Sequence, residues 1–179
     1  QYVDVPNTST DSSYSNTKEY LGYYDAESCY NYNNAPTETP AAGLTATDYK
    51  RFDRIGPAIA LAVPDASQPT KTSRKCTNAF SGNFLNWASN SAIDMLRLSL
   101  TGGDRYIDTP GSFDTNGAVN TYPLTILQRA VIPNGDPTCM WNSNNFPGKQ
   151  LSRNGGDYFG AVPTAMSNAA TTAGNKDIW

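Results

Sequence analysis

The chain has 179 residues, of which 38% are hydrophobic and 16% are charged, and its net charge is −3 with an isoelectric point near 4.8. Typical domains have roughly 45–50% apolar and about 25% charged residues, so this chain is enriched instead in turn-forming polar residues and tyrosine, as in loop-rich extracellular proteins. The acidic balance, with no long basic run, excludes a nucleic-acid-binding protein, and no apolar run approaches the roughly 20 residues of a membrane-spanning helix.

The first 63 residues contain a polar segment, a tyrosine-rich segment and turns. Residues 1–19 are dominated by Asn, Ser, Thr and Asp, and we expect them to be mobile or ordered only by docking elsewhere. The next thirteen residues carry five tyrosines, Tyr20, Tyr23, Tyr24, Tyr30 and Tyr32. This aromatic density favours short strands or an irregular packed segment. Turn-forming residues follow, and a short strand is predicted over 58–63.

A long helix is predicted over about 83–101. Ser81-Gly82-Asn83 supplies capping groups, Gly102-Gly103 ends the pattern, and the run between them has no proline. Apolar residues recur there at three- and four-residue spacing: Phe84, Trp87, Ala88, Ala92, Met95, Leu96 and Leu100. We expect this stripe to be part of the core. Asp94, in the middle of the run, is expected to cap, to pair with Arg97 or to face water.

A second main helix is predicted over 122–132. Thr121 suits its N-cap and Pro123 its first turn, and the apolar residues at 124, 127, 130 and 131 share one face. A hairpin around Thr115-Asn116-Gly117 is expected before it, and a weaker helix over 163–172 after it. Together these elements predict a loop-rich α+β fold with two main helices, a few short strands and one disulfide. Residues 20–179 are expected to form a single domain.

Three cysteines, Cys29, Cys76 and Cys139, allow at most one internal disulfide. We favour Cys29–Cys76, which closes a loop of about 48 residues and stabilises by about 4 kcal/mol in the chain-entropy model. Cys139 would then be free or paired with another chain. The alternative is three buried, unpaired thiols. A disulfide would indicate an oxidising compartment such as the periplasm or cell surface.

The absence of histidine restricts the chemistry that this chain can perform. Ser–His and Cys–His catalytic pairs are impossible within it, no phosphate-binding loop occurs, and no carboxylate pair stands out by its spacing. We therefore expect no enzyme and no cofactor, with a secreted hydrolase as the disfavoured alternative. Calcium is the metal to consider, in the loops 104–114 and 134–136, but Asp- and Asn-rich loops are mostly plain turns and no EF-hand spacing occurs.

The longest motif is Ser81-Gly82-Asn83-Phe84-Leu85-Asn86-Trp87-Ala88-Ser89, continued by Ile93-Asp94-Met95-Leu96-Arg97 and Gly102-Gly103. Shorter blocks are Tyr20–Asp25, Cys29–Tyr32 and Thr125–Ala130, and Cys76 stands just before the motif. In this order they resemble the N-terminal region of the PilC/PilY family of type IV pilus tip adhesins. The resemblance covers about residues 20–132.

The resemblance implies a function in adhesion, pilus biogenesis and twitching motility, since family members are large secreted proteins with these functions. Their N-terminal region resembles a von Willebrand A domain, and a β-propeller with a calcium loop follows. The metal-binding Asp-x-Ser-x-Ser strand end and the propeller are both missing here, so metal-dependent adhesion is not carried over. Gln1 opens directly into polar sequence without a signal peptide, and we expect a mature or excised chain, either a fragment or a reduced family member.

These observations predict an exported, non-enzymatic adhesin module at the cell surface or pilus. Its expected partners are pilus subunits, other copies of itself, or a surface, glycan or protein receptor, with no nucleic acid and no membrane span. The five tyrosines of residues 20–32 are the candidate partner surface, and the motif Ser81–Trp87 is expected in the core. The alternative is a structural subunit that repeats in an extracellular filament, with Cys139 as its candidate intermolecular contact.

Overall fold

The computed structural model describes residues 10–130, 148–151, 157–172 and 177–178. The helices are α1 Gly82–Ser89, α2 Ala92–Thr101 and α3 Thr164–Thr172, and a 3-10 turn covers Ala46–Tyr49. The strands are β1 Thr10–Asp11, β2 Ser28–Asn33, β3 Arg51–Pro57, β4 Phe80–Ser81, β5 Arg105–Thr109, β6 Ser112–Phe113, β7 Val119–Thr121, β8 Leu124–Leu127, β9 Gly148–Gln150 and β10 Asp177–Ile178.

The described strands form four small sheets. The sheet that positions the candidate site has the order β3-β2-β4 and is antiparallel, with a register shift between Cys29 and Tyr30. β5 pairs with β8 and β6 with β7, both antiparallel, whereas β9 pairs in parallel with β1 and antiparallel with β10. The predicted α+β class is confirmed. The division into one domain over 20–179 stays a prediction.

The main core brings residues from both ends of the described chain onto α1. Its buried members are Tyr14, Tyr20, Phe84, Trp87, Leu151, Tyr158, Ala161 and Val162. The ring of Tyr14 lies 5.2 Å from that of Phe84 and 5.6 Å from that of Trp87. The described residues also form two smaller clusters. One contains Cys29 and Cys76, and the other contains Tyr49, Ile107 and Ile126.

Residues 14–19 are ordered by this core and by a buried arginine. The Arg74 guanidinium donates to the carbonyls of Asn16 and Thr17, at 3.4 and 3.3 Å, and pairs with Glu19 at 2.9 Å. The sequence led us to expect residues 1–19 to be mobile or ordered only by docking elsewhere, and residues 14–19 are ordered by these contacts with Arg74 and by the Tyr14 ring in the main core. Residues 1–9 lie outside the described part of the chain.

The disulfide Cys29–Cys76 is confirmed, with the two Cα atoms 5.8 Å apart. It connects β2 to the loop that leads into β4, and both cysteines are buried beside Ala58 and Ala79. Cys139, the third cysteine, lies outside the described residues.

The long helix predicted over 83–101 is two helices, because the backbone leaves the helical conformation at Asn90 and Ser91. A capping box starts α2 immediately: the Ser91 side chain accepts from the Asp94 N–H, and the Asp94 carboxylate accepts from the Ser91 N–H at 2.8 Å. Asp94 therefore caps, which was one of its expected roles. Phe84 and Trp87 are buried, but Leu96 and Leu100 are exposed, so the prediction that one continuous stripe lies in the core was wrong for α2.

The second main helix predicted over 122–132 was wrong. Residues 124–127 form β8, which pairs with β5 and buries only Ile126 against Tyr49 and Ile107. A run of four apolar and β-branched residues fits a strand as well as a helix, and pairing with β5 decides between them.

The other local predictions have mixed outcomes. The hairpin around Thr115–Gly117 is confirmed by the β6–β7 pair, and α3 confirms the helix predicted over 163–172. The strand predicted over 58–63 is replaced by β3, which ends at Pro57, and only an isolated bridge between Ala60 and Thr72 lies beyond it.

Candidate functional site

Three asparagines on one side of α1 hold the tyrosine-rich segment in place. Asn83, Asn86 and Asn90 recur at three- and four-residue spacing and are almost fully buried. The Asn83 side chain accepts from the Tyr20 N–H and donates to the Lys18 carbonyl, both at 2.8 Å. A buried backbone without a strand partner needs such bonds, since an unpaired buried polar group costs about 1–3 kcal/mol.

Asn86 is the centre of this arrangement. Its Nδ2 donates to the carbonyls of Tyr20 and Tyr24, both at 2.8 Å, and its Oδ1 accepts from the Tyr24 N–H at 3.0 Å. The Asn90 Oδ1 accepts from the Tyr23 N–H at 3.4 Å, which extends the series past the end of α1. The irregular backbone from Lys18 to Tyr24 is thus bonded to side chains in place of a neighbouring strand.

Two glycines allow the close approach of this segment to α1. A Cβ at Gly22 would collide with the side chain of Asn86, and one at Gly82 would collide with the Asp25 carbonyl and the Tyr30 ring. The glycine of the Ser81–Trp87 motif is therefore required by the path of the tyrosine-rich segment.

An aromatic cluster covers one face of the β3-β2-β4 sheet. It consists of Tyr24, Tyr30, Tyr32, Phe52 and Phe80. Tyr32 pairs across the strands with Phe52, and Tyr30 with Phe80. Phe52 is its centre, with ring centroids 5.1 Å from Tyr32, 5.3 Å from Phe80 and 5.8 Å from Tyr24. Such tilted and edge-on pairs each contribute about 0.5–1.5 kcal/mol beyond burial.

The opposite face of the β2–β3 ribbon is polar, because side chains alternate between the two faces along a strand. Asn33 donates to the Asp53 carboxylate at 3.0 Å, and Arg51 bonds the same carboxylate at 2.6 Å. The Arg51 guanidinium also contacts Glu38 at 2.6 Å, and this bond lowers the pKa of the Glu38 carboxyl. The ribbon therefore has an aromatic face and a charged, hydrogen-bonded face.

Burial separates the five predicted partner-surface tyrosines into three groups. Tyr20 is 0% exposed and Tyr30 is 8% exposed, so the prediction that these two side chains meet a partner was wrong: Tyr20 belongs to the main core, and the Tyr30 hydroxyl accepts from the Asp25 N–H. Tyr23 is half-buried, and its hydroxyl accepts from the Asp104 N–H at 3.3 Å. Tyr32 is 49% exposed, and Tyr24 is partly exposed beside it in the cluster.

Burial disfavours ionisation of two tyrosines of the cluster, Tyr24 and Tyr30. Burial raises the pKa of the Tyr24 hydroxyl to about 12, and burial likewise raises the pKa of Tyr30. Near Tyr30 the charges are paired, since Arg54 lies 3.8 Å from Asp25 and donates to the Ser28 hydroxyl. The face thus combines aromatic rings with one polar border, formed by Asp25, Arg54 and Ser28.

The Ser81–Trp87 motif lies beneath this face and away from solvent. Its residues are all buried: Leu85 is 5% exposed, and Ser81, Asn83, Phe84, Asn86 and Trp87 are at most 1% exposed. Ser81, Gly82 and Asn83 position the tyrosine-rich segment, Phe84 and Trp87 fill the main core, and Lys149 lies over the Trp87 ring at 4.4 Å. The motif thus supports the aromatic face and does not form it.

Sequence reasoning missed Phe52 and Phe80, the two phenylalanines of the cluster. Neither is near the tyrosine-rich segment in sequence, and both reach it only through strand pairing. The available signal was the alternation of Arg51-Phe52-Asp53, which fits a strand with one apolar face.

Metal and membrane features are absent from the part of the chain that the structure describes. No group of three or more Cys, Asp or Glu side chains lies close enough there to hold a metal ion. None of the helices in that part is long and apolar enough to cross a membrane.

The fold and the site define a small α+β domain that is held together by a disulfide and presents an aromatic sheet face. The family model described as "PilY1 homolog, small alpha/beta domain" matches residues 11–57 and 61–175, so the chain belongs to this family. The family assignment made from the Ser81–Trp87 motif is thereby confirmed.

Two relatives are proteins of Xylella fastidiosa (strain Temecula1 / ATCC 700964), both named type IV pilus biogenesis factor PilY1 homolog. One is 30% identical over 132 residues, which are 74% of this chain and 8% of the relative. The other is 32% identical over 90 residues, which are 50% of this chain and 4% of the relative. The chain thus spans only a small part of the length of these relatives. No solved structure matches it.

Proposed function

We propose that this chain is a non-catalytic, exported module of a type IV pilus biogenesis protein, and that it attaches to a partner through the aromatic face of its β3-β2-β4 sheet. The family and the names of the two relatives support the pilus context. The disulfide supports export, since such bonds persist in oxidising compartments.

The observation that carries the attachment is the half-exposed Tyr32 ring, packed against the Phe52 ring at 5.1 Å. Rigid tyrosine rings provide a large contact area at a low cost in conformational entropy, which is why they are enriched at binding surfaces. Here the ring is oriented in advance, because Phe52 is fixed by Tyr24 and Phe80 on its other sides. Binding would therefore cost little conformational entropy at this side chain.

A non-catalytic function is supported by the chemistry around the face. The chain has no histidine, and burial raises the pKa values of the Tyr24 and Tyr30 hydroxyls, which lowers the amount of phenolate that could act as a base or nucleophile at neutral pH. The partner class that fits is a protein or glycan with an exposed apolar surface, because the face offers stacking area and few charges.

The test is Tyr32→Ala in the complete gene product, expressed in its own bacterium. We expect surface attachment to fall while pili are still assembled, since Tyr32 is at the edge of the cluster and not in a core. Tyr122→Ala is the matched control, because Tyr122 is 81% exposed and belongs to none of the described cores. Thermal unfolding of both purified variants establishes that they are folded.

Unchanged attachment by a folded Tyr32→Ala protein would refute the proposal. Loss of assembled pili with this variant, together with concentration-dependent assembly of the purified protein, would instead favour the structural-subunit alternative.

A further inference from the structure

Helix α2 carries an apolar stripe that the rest of the described structure leaves uncovered. Ile93, Leu96 and Leu100 are 55%, 58% and 73% exposed, and their spacing of three and four residues places them on one side of the helix. Burial of such side chains stabilises a fold through the hydrophobic effect, and this stabilisation is not obtained while the three remain exposed. Contiguous exposed apolar residues of this kind typically mark an interaction surface.

The position of α2 is fixed by polar contacts at its two ends. At the N-terminus, the buried Asp94 carboxylate accepts from the Ala130 N–H at 2.6 Å and from the Ser91 hydroxyl at 2.7 Å. At the C-terminus, Gly102 ends the helix in the left-handed conformation, and Arg97 pairs with Asp104 at 2.7 Å. Asp104 in turn is bonded to Tyr23. The helix is thereby oriented without burying its stripe.

We propose that the α2 stripe docks into an apolar groove of a neighbouring domain of the same polypeptide. The stripe has no charged member, and an amphipathic helix that presents residues i, i+3 and i+7 fits a hydrophobic groove. The matched region is only 8% and 4% of the two relatives, which therefore contain much more chain than this domain.

The size of the stripe favours a tethered partner over a second copy. Three half-exposed side chains offer roughly 300 Å² of apolar surface, below the roughly 450 Å² of apolar area that each partner contributes to a stable complex between separate proteins. Domains of one chain need less, because the connecting polypeptide raises their effective concentration. The inference concerns the architecture of the family member and does not depend on attachment through Tyr32.

The test compares cysteine accessibility in the complete gene product that contains this chain. Leu96→Cys is expected to react with a maleimide at least about tenfold more slowly than Val63→Cys, because an occupied interface opens only transiently. Val63 is a suitable control, since it is 82% exposed and lies outside α2. The parent protein gives the background from native thiols, and denaturation should equalise the two variants.

Two outcomes would overturn the proposal. Equal reaction rates for Leu96→Cys and Val63→Cys in the folded product would mean that nothing covers the stripe. Protection of Leu96→Cys that disappears on dilution would mean that a second copy covers it. Leu100→Cys, on the same stripe, repeats the measurement if Leu96→Cys is not secreted as a folded protein.

Discussion

Asn86 and Tyr24 are joined by two hydrogen bonds that run in opposite directions: the Asn86 Nδ2 donates to the Tyr24 carbonyl at 2.8 Å, and the Asn86 Oδ1 accepts from the Tyr24 N–H at 3.0 Å. A primary amide is the side chain that can imitate the edge of a strand in this way, since it has a donor and an acceptor in one plane. Tyr24 in turn packs against Phe52. The family motif is therefore connected to the aromatic face through this pair.

Asn86→Ala should lower the free energy of unfolding by about 2–4 kcal/mol, because it removes the three hydrogen bonds from this side chain to the backbone of Tyr20 and Tyr24. Asn86→Asp should cost at least as much, since it places a carboxylate against two carbonyl oxygens that now receive N–H donors. Urea unfolding measures both. Asn34→Ala, at an exposed asparagine, serves as the control. A loss for Asn86→Ala no larger than that of the control would contradict the assigned bonds.

The disulfide should stabilise the fold by constraining the unfolded chain. Cys29 and Cys76 are separated by 47 positions. Closing such a loop lowers the entropy of the unfolded chain and thereby raises its free energy by about 4 kcal/mol in the loop-closure model. The double variant Cys29→Ala, Cys76→Ala should lose about 3–4 kcal/mol in denaturant unfolding, and reductant should have a comparable effect on the unmodified protein. A double variant as stable as its parent would show that the bond does not constrain the unfolded chain.

The sequence predicted what depends on local chemistry. The β6–β7 hairpin and the helical conformation of most of residues 83–101 were predicted correctly, because capping residues, glycines and periodicity act over a few residues. The α+β class and the disulfide, which rest on the overall pattern of elements and on the cysteine count, were also correct. The break at Asn90 was missed, although Ser91-x-x-Asp94 is itself a helix-start pattern. The pattern was overlooked because the apolar spacing continues through the break.

The pairing of strands from distant segments could not be predicted. β8 was predicted as a helix because its partner β5 is not identifiable from periodicity, and Phe52 was not included in the site because β3 was not recognised. The tyrosine-rich segment shows the same limit: its composition indicates an aromatic site, but only the fold determines that Tyr20 is buried and Tyr32 exposed. The sequence thus indicates which segment contains the candidate site, but not which of its side chains lie on the exposed face.

Asp94 should act as a link between α2 and the segment that follows β8. Its Oδ1 accepts from Ala130, and its Oδ2 accepts from the Ser91 backbone and hydroxyl. An amide has only one acceptor oxygen, so Asp94→Asn can accept either from the Ala130 N–H or from the Ser91 donors, but not from both. The substitution should therefore lower the free energy of unfolding by about 1–2 kcal/mol. Hydrogen exchange at the Ala130 or Ser91 amide should accelerate more than with Asp65→Asn, a control in an exposed turn. Unchanged exchange at both amides would contradict the linking function.

The pH dependence of stability should include a contribution from Glu38. Its bond to Arg51 lowers the folded-state pKa of the carboxyl below the value of about 4.3 expected in the unfolded chain. The unfolded chain then binds more protons at intermediate pH, so this stabilisation is present above the unfolded pKa and is lost as the pH falls through the folded one. Glu38→Gln should therefore cost about 0.5–1 kcal/mol at pH 7, a range typical of partly exposed pairs. The difference in the free energy of unfolding between parent and variant should shrink as the pH falls from about 5 to about 3, in urea unfolding at fixed ionic strength.

Glu19→Gln, which removes one of two carboxylate partners of Arg74, provides a comparison at a more exposed carboxylate. A parent–variant difference that stays constant or grows on acidification would show that the Glu38 carboxylate is not stabilised by Arg51.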